Sequence, residues 1–455
     1  MYRVSSQPKD AQMLDLRSAA IAANRFGFGA KPGELNTIAA DPRGWLKQQL
    51  VPEPRTESAT PSSTKLAEFL QARKERKSDV DLAKMLRKDL QEDFRAAAAQ
   101  RSLDAANSAT PFRERLVQFW SNHFTVSIQR PVVIPVAVGF ENEAIRPNVT
   151  GNFRAMLSAV AMHPAMLLYL DNAQSVGPNS IGGRLRDKGL NENLAREMLE
   201  LHTVGVDGSY TQTDVTEFAK ILTGWSIARD GEPNPGGFRY RPAIHEPGSK
   251  TLMGKTYRED GLQEGLLALN DLASRPQTAR HIATKLARHF VADDPPPAAI
   301  DLLAKTFQKT NGDLHAVSLA LVDLPQIWSD PLTKIKTPND LVLSACRTFG
   351  ITDAKAGEGV LMGLKQMDQV PFDAPSPAGW PDTADSWISP EAMMTRIQWA
   401  LAAGQKLDGH ADAREVAKGS IQPVAADSTM FHIDNAPSPA DGLALLIASP
   451  EFQRR

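Results

Sequence analysis

Apolar positions recur at the three- and four-residue spacing of helices through most of this 455-residue chain, and one stretch alternates with the period of two that a half-buried strand needs. PFRERLVQFWSNHFTVS places Leu116, Phe119, Trp120 and Phe124 on one wide apolar face. Pro111 stands at its start, where the missing N–H costs nothing. FRAMLSAVAMHPAMLLYLDN predicts an apolar helix broken near Pro164. Helices are predicted again through the segment Asn191–Ser226, over 259–290, through 298–350 and in the closing ADGLALLIASPEF. GGFRYRPAIHEPGSKTLMGKTY alternates aromatic and polar residues around a Pro-Gly pair and predicts a β-hairpin. The pattern therefore predicts a mainly α protein: one large multi-helix domain over 1–455 with a small hairpin insertion, a flap, around 236–258. A charged helical region over 65–109, suited to i,i+4 pairing, is expected at its periphery.

Composition changes this picture little. Hydrophobic residues at 42%, charged residues at 23% and a net charge of −2 describe soluble globular material with no global reason to bind nucleic acid or an anionic membrane. The single Cys346 excludes an intrachain disulfide framework, and its apolar setting reads as a buried inert thiol. There is no charge-free apolar run of about 18 residues, so no membrane span is expected. The N-terminus shows no apolar segment of signal-peptide length, which leaves a cytoplasmic location and export by a leader outside this numbering both open. No glycine-rich dinucleotide fingerprint, P-loop, GxSxG elbow or EF-hand loop is present, so no nucleotide or flavin cofactor is implied. A divalent metal stays open.

The densest chemistry lies in NENLAREMLELHTVGVDGSYTQTDVTEFAKILTGWS, from Asn191 to Ser226. At about 100° per residue, Leu194, Met198 and Leu201 share one helix face with His202 at its edge. Glu192, Arg196 and Glu200 form a row on the other side, beside Asn193 and Glu197. The row is either a solvated face of ion pairs worth about 0.2–0.5 kcal/mol each, or a polar stripe lining a pocket. In the pocket reading, Glu197 or Glu200 is a general base or metal ligand and Arg196 holds an anion. Glu197 and His202 point about 140° apart, which is not the HExxH arrangement. His123, near the centre of its own apolar face, is a core histidine, or it converges with His202 if the two helices pack together. His245 and Lys250 in HEPGSK are solvent-facing turn residues, or a flap presenting a proton donor and a cation. His281, Lys285, Arg288 and His289 share one face as a solvated basic surface, an anion-binding face, or a partner of the glutamate row. Trp225, Trp380 and Trp387 are core or pocket-wall residues that could stack a sugar ring. Asp171 and Asn172 cap and turn the chain, and His163 shapes the kink at Pro164.

RFGFGA, RERLVQFWSNHFTVS, HPAMLLYLDN, NENLAREMLELHTVGVDGSYTQTDV, FAKILTGWS, HEPGSKTLMGK, KLARHFVADDPPP and PSPAGWPD occur in this order over most of the chain. In these segments it resembles the domain of unknown function 1800 family of bacterial proteins. The resemblance implies a helical fold and no assigned activity. It also implies, as a partner, a phosphatase- or sulfatase-like protein, because members are commonly encoded beside such a family. Two functions stay open. The first is a hydrolase or transferase, metal-assisted in one version, acting on an anionic or sugar-like small molecule. There Glu197 or Glu200 is the base, His202, His123 and His245 are acids or metal ligands, and Arg196, Lys250, Asn193 and Trp225 bind substrate. The second is a non-catalytic scaffold or partner protein.

Overall fold

The computed structural model describes residues 16–52, 60–75, 80–185, 189–329 and 332–455. The residues read for an export leader fall largely outside this set, as does the middle of the loop read at 51–64. The described residues are mainly helical, with two small two-stranded antiparallel sheets. The helices that position the site are α1 (Val80–Asn107), α2 (Pro111–His123), α3 (Asn193–Glu197), α4 (Gln212–Leu222), α5 (Leu262–Ala273), α6 (Pro276–Phe290), α7 (Pro338–Thr348), α8 (Ala356–Gln366), α9 (Pro390–Leu407) and α10 (Pro439–Ala448). No helix among the described residues is long and apolar enough to cross a membrane.

Two apolar clusters organise the packing. The first gathers Leu116, Val117 and Trp120 of α2, Leu194 of α3, Phe218 of α4 and Ile282, Leu286 and Phe290 of α6. The second gathers the end of α1 (Leu103, Ala105, Ala106) with residues of α7, α8, α9 and α10. The charged 65–109 segment thus carries an apolar end that is inside the molecule. Helix α2 begins at Pro111, and the orphan N–H of Phe112 in its first turn is taken by Gln49 Oε1 at 2.8 Å. Phe112 meets Phe26 at 4.9 Å and Phe290 at 5.8 Å between ring centroids, both edge-on. Such pairs contribute about 0.5–1.5 kcal/mol each beyond their area, and they fix α2 against α6.

The strand-forming segment is two hairpins rather than one. β1 (Trp225–Ile227) pairs with β2 (Phe238–Tyr240), in the register Trp225 with Tyr240. β3 (Lys250–Leu252) pairs with β4 (Lys255–Tyr257), in the register Leu252 with Lys255. The turn of the second is Met253-Gly254, both at positive φ (47° and 82°), as a two-residue turn matching the strand twist requires. The Pro247-Gly248 pair is not a strand turn.

The HEPGSK segment between the hairpins is neither a solvent-facing tip nor a flap. His245 and Lys250 are both buried. Lys250 Nζ donates to Glu264 Oε2 at 3.0 Å and to the Glu246 carbonyl at 2.6 Å. His245 sits between the Thr223 carbonyl (Nδ1, 2.8 Å) and the same Glu264 carboxylate (Nε2, 3.1 Å). Glu264, on α5, is fully buried. One turn of α5 also receives Trp225: a Cβ on Gly265 would stand 2.4 Å from its ring. Desolvated charges are tolerated only when paired and hydrogen-bonded, and this knot ties both hairpins to α4 and α5. Glu264→Ala would strand the Lys250 ammonium, so urea unfolding should show a loss of about 3–5 kcal/mol. The double change Glu264→Leu with Lys250→Met should recover much of that loss. A loss within 1 kcal/mol in the single variant, on the order of a surface ion pair, would contradict the assignment.

Candidate active site

A cleft of about 490 Å³ is lined by the C-terminal half of α2, by α6, by the start of α7, and by the Pro-rich segment from Gln369 to Thr383. That volume lies in the ordinary range for small-molecule sites. The Pro-rich wall is clamped to α2 through Asn122, whose Oδ1 accepts the Trp380 N–H at 2.8 Å and whose Nδ2 donates to the Trp380 carbonyl at 2.9 Å. Gly379 permits this approach: its φ is +83°, and a Cβ there would stand 2.4 Å from the Asn122 carbonyl oxygen.

The clamp delivers Asp382 to His289. Asp382 Oδ2 lies 2.7 Å from His289 Nδ1, so Nδ1 carries the proton and donates it. His289 Nε2 is then a bare lone pair, buried and without a partner among the described residues. The ring is flanked by Phe119 at 5.3 Å and Phe290 at 4.8 Å. Burial pushes the His289 imidazole down to about 4, with Arg455 and Arg115 adding to the effect and Asp382 opposing it. The ring is therefore neutral at neutral pH. The Asp382 carboxyl is held well below its usual range by His289, Lys334 and Arg455, against the cost of its burial.

A cationic floor lies under this pair. Short pairing of 334–336 with 453–455, through Lys336 N–H to Gln453 O and Arg455 N–H to Lys334 O at 2.8 Å each, carries the Arg455 guanidinium beneath the cleft. Arg455 lies 2.8 Å from Asp340 and 3.3 Å from Asp382, and donates to the His289 carbonyl at 2.6 Å. Arg115 reaches Asp340 at 3.1 Å, and Lys334 binds Asp293 at 2.6 Å. Lys336 is fully buried, with Asn24 Oδ1 at 3.1 Å and the Phe452 ring at 4.7 Å, and no salt bridge to a described residue. Its burial, reinforced by Arg115 and Arg455 against the pull of Asp340, lowers its ammonium to about 7. Lys285, in the cleft wall, likewise forms no hydrogen bond or ion pair with a described residue, and burial lowers it too.

Behind the cleft lies a second group of imidazoles. The chain after α3 widens into an i→i+5 turn over Met198–His202, which turns the Leu201 and His202 carbonyls outward. His281 Nε2 donates to the first at 2.9 Å and His123 Nε2 to the second at 3.2 Å. The His123 ring is 5.9 Å from His202 and 6.0 Å from His281. His123 Nδ1 and both ring nitrogens of His202 have no partner among the described residues. Burial first, then Lys285, drives His123 well below its ordinary value and His202 to about 3. His281 falls to about 4, chiefly by burial. Among the described residues no group of three or more His, Cys, Asp or Glu side chains is arranged to hold a metal ion.

The structure brings His123 and His202 together, and His123 lines the cleft. Lys285, Arg288, His289 and Trp380, also singled out in the sequence, line it too, and the remaining residues lie elsewhere. Glu200 accepts from the Tyr210 hydroxyl at 3.3 Å. Glu197 is half-buried, its carboxyl raised by that burial and by Glu200. Arg196 pairs with Glu192 at 3.1 Å and with Gln212 at 2.9 Å, and Asn193 is exposed. His245 and Lys250 belong to the Glu264 knot, and Trp225 is fully buried against α5. The wider turn after Glu197 also breaks the 100° spacing on which the 191–203 helical wheel rested. Asp171 pairs with Arg130. His163 caps the helix after Pro164 through Ala165 N–H at 3.1 Å. Burial raises the Cys346 thiol to about 12, so it is not a nucleophile. Asp340, Asp382 and Arg455 were missed, although Asp382 ends the quoted PSPAGWPD segment.

A family model described as "Protein of unknown function (DUF1800)" matches residues 21–454. No curated protein and no solved structure matches the chain.

His202 titrates near 6.5 when unfolded and at about 3 in the fold. As pH falls below the unfolded value the unfolded chain binds the extra proton first. Stability is therefore intact above about 6.5 and is lost toward 3, by up to about 1.4 kcal/mol per pH unit for this one ring. Urea unfolding at a series of pH values should show a shallower acid slope in His202→Leu than in the parent. Equal slopes would contradict the burial argument.

Proposed function

The chain belongs to the DUF1800 family, and we propose that it is an enzyme, a hydrolase or transferase that uses His289 as a general base in the cleft. The observation that carries this reading is the Asp382–His289 pair: a carboxylate 2.7 Å from Nδ1, with Nε2 left unpartnered on a ring that lines a cleft of small-molecule size. A buried carboxylate that fixes the tautomer and stabilises the imidazolium formed later is what such catalysis requires.

In the proposed step, His289 Nε2 accepts a proton from a water or a substrate hydroxyl as that oxygen forms its new bond to the electrophilic centre. The bond to the leaving oxygen breaks, and the same proton returns to it from the imidazolium. The imidazole then starts the next cycle neutral. Cations in the cleft lining support this reading, because fixed positive charge stabilises negative charge that develops beside it. Neighbouring cations keep the free base weakly basic, and an anionic ligand beside it would strengthen it. Of the acids and bases expected from the sequence, His123 belongs to this reading as a neutral imidazole in the cleft wall.

The test is turnover on a panel of chromogenic phosphate, sulfate and carboxylate esters, with variants then compared on the best substrate. His289→Ala and Asp382→Asn should each lower kcat/KM by about 10²–10⁴-fold, with thermal unfolding showing both variants folded. The base works deprotonated, so kcat/KM should rise with pH through the free-enzyme ionisation at about 4 and level off above it. An activity that His289→Ala leaves intact would sink the proposal.

A further inference from the structure

The cleft presents hydrogen-bond donors and positive charge that the protein itself does not use. Lys285 makes no hydrogen bond or salt bridge with a described residue. Arg288, at the rim, makes a single hydrogen bond with the described residues, from Nε to the Asp293 carbonyl at 3.2 Å. Gln118 accepts from Asn339 through Oε1 at 2.7 Å, which leaves its Nε2 unpartnered and buried. The carboxylates at the floor are already shared: Asp340 by Arg115 and Arg455, Asp382 by His289, Lys334 and Arg455, and Asp293 by Lys334. Lys336 lies beneath them with no salt bridge to a described residue. Lys285 and Arg288 therefore line the cleft without a salt bridge to a described carboxylate, and Asp382, the carboxylate whose charge Lys285 feels, is already shared, in a chain whose net charge is −2. Charge gathered in a low-dielectric recess acts far more strongly than the same charge on an open surface.

We infer that the cleft takes a small oxyanion ligand, a phosphate or sulfate monoester, with the anion against Lys285, Arg288 and the free amide of Gln118. The apolar part of the cleft suits the rest of the ester. Trp380, Pro371, Pro375 and Phe119 line it, and an indole beside prolines stacks a planar or sugar-like group. A cleft of about 490 Å³ is larger than a bare phosphate or sulfate needs. The inference rests on the cleft being the site proposed above and does not require that the ligand be turned over.

Binding is measured on the full chain by calorimetry and by the shift in Tm, with inorganic phosphate and inorganic sulfate as probes and chloride at matched ionic strength as the control. At least one oxyanion should bind and raise Tm where chloride does not, and p-nitrophenyl phosphate or sulfate should bind more tightly than its inorganic ion. Lys285→Met should weaken oxyanion binding by ~10–100-fold, the scale of one charge-assisted hydrogen bond. It should not lower the Tm of the ligand-free protein, because no internal ion pair is lost. Lys309→Met, on an exposed helix face, should change neither. Trp380→Ala should keep the inorganic ion while losing the added affinity of the aromatic ester. The inference is overturned if neither oxyanion exceeds chloride, or if Lys285→Met binds as the parent does. Oxyanion binding lost in Lys285→Met, together with turnover that survives His289→Ala, would overturn the general-base reading and uphold this one. Loss of turnover in His289→Ala with no oxyanion preference would do the reverse.

Discussion

The buried carboxylate of Asp382 is the constraint on which the cleft depends. It fixes the tautomer of His289, lies beside Arg455 and Lys334, and sits on a Pro-rich segment that Asn122 clamps to α2. A carboxylate in this position is stable only because cations and an imidazole N–H surround it, since a buried unpaired charge would cost several kcal/mol. The same cations share it with Asp340 and Asp293, which pair with Arg455 and Lys334 in turn. The site and the packing of α2, α6 and the 369–383 segment are therefore one electrostatic problem with one solution.

That solution is asymmetric. Asp340 and Asp382 each answer more than one cation, while Lys285 and Arg288 in the cleft lining form no salt bridge with a described carboxylate. Proteins usually pair their buried charges, so a surplus at a concave surface is the signature of a site completed by something from outside. The imidazoles behind the cleft follow a different rule. His123, His202 and His281 avoid the cost of buried charge by staying neutral, and two of them spend one N–H each on carbonyls freed by the wide turn after α3. Glu264 with His245 and Lys250 shows a third arrangement, a closed knot that ties the hairpins to the helices and lines no part of the cleft.

The helical fold was legible because helices are local: apolar spacing, Pro111 at a first position and the absence of long β-branched runs are all visible within a few residues. The strand segment was legible in kind but not in pairing, since β2 turns back to Trp225–Ile227, outside the alternating stretch. Of the site, the basic face of α6 and the histidine of α2 were visible. Their partners were not, because Asp382 is 93 residues from His289 and Arg455 is 166 residues away. No spacing rule connects such positions. The glutamates and arginine of 191–203 drew attention through their density, yet density within one helix is equally what a solvent-facing row of ion pairs produces. Lys250 and His245 failed as flap residues for a related reason: a Pro/Gly loop reads as exposed, and only the fold reveals that Glu264 waits inside for them.

The most direct test of the account is the protonation state of His289, read from the nitrogen chemical shifts of its imidazole in ¹⁵N-labelled protein and assigned by comparison with His289→Ala. At neutral pH the ring should be neutral with its proton on Nδ1, and Asp382→Asn should release that preference. A ring protonated on Nε2, or an imidazolium at neutral pH, would mean that the carboxylate does not hold the base as described.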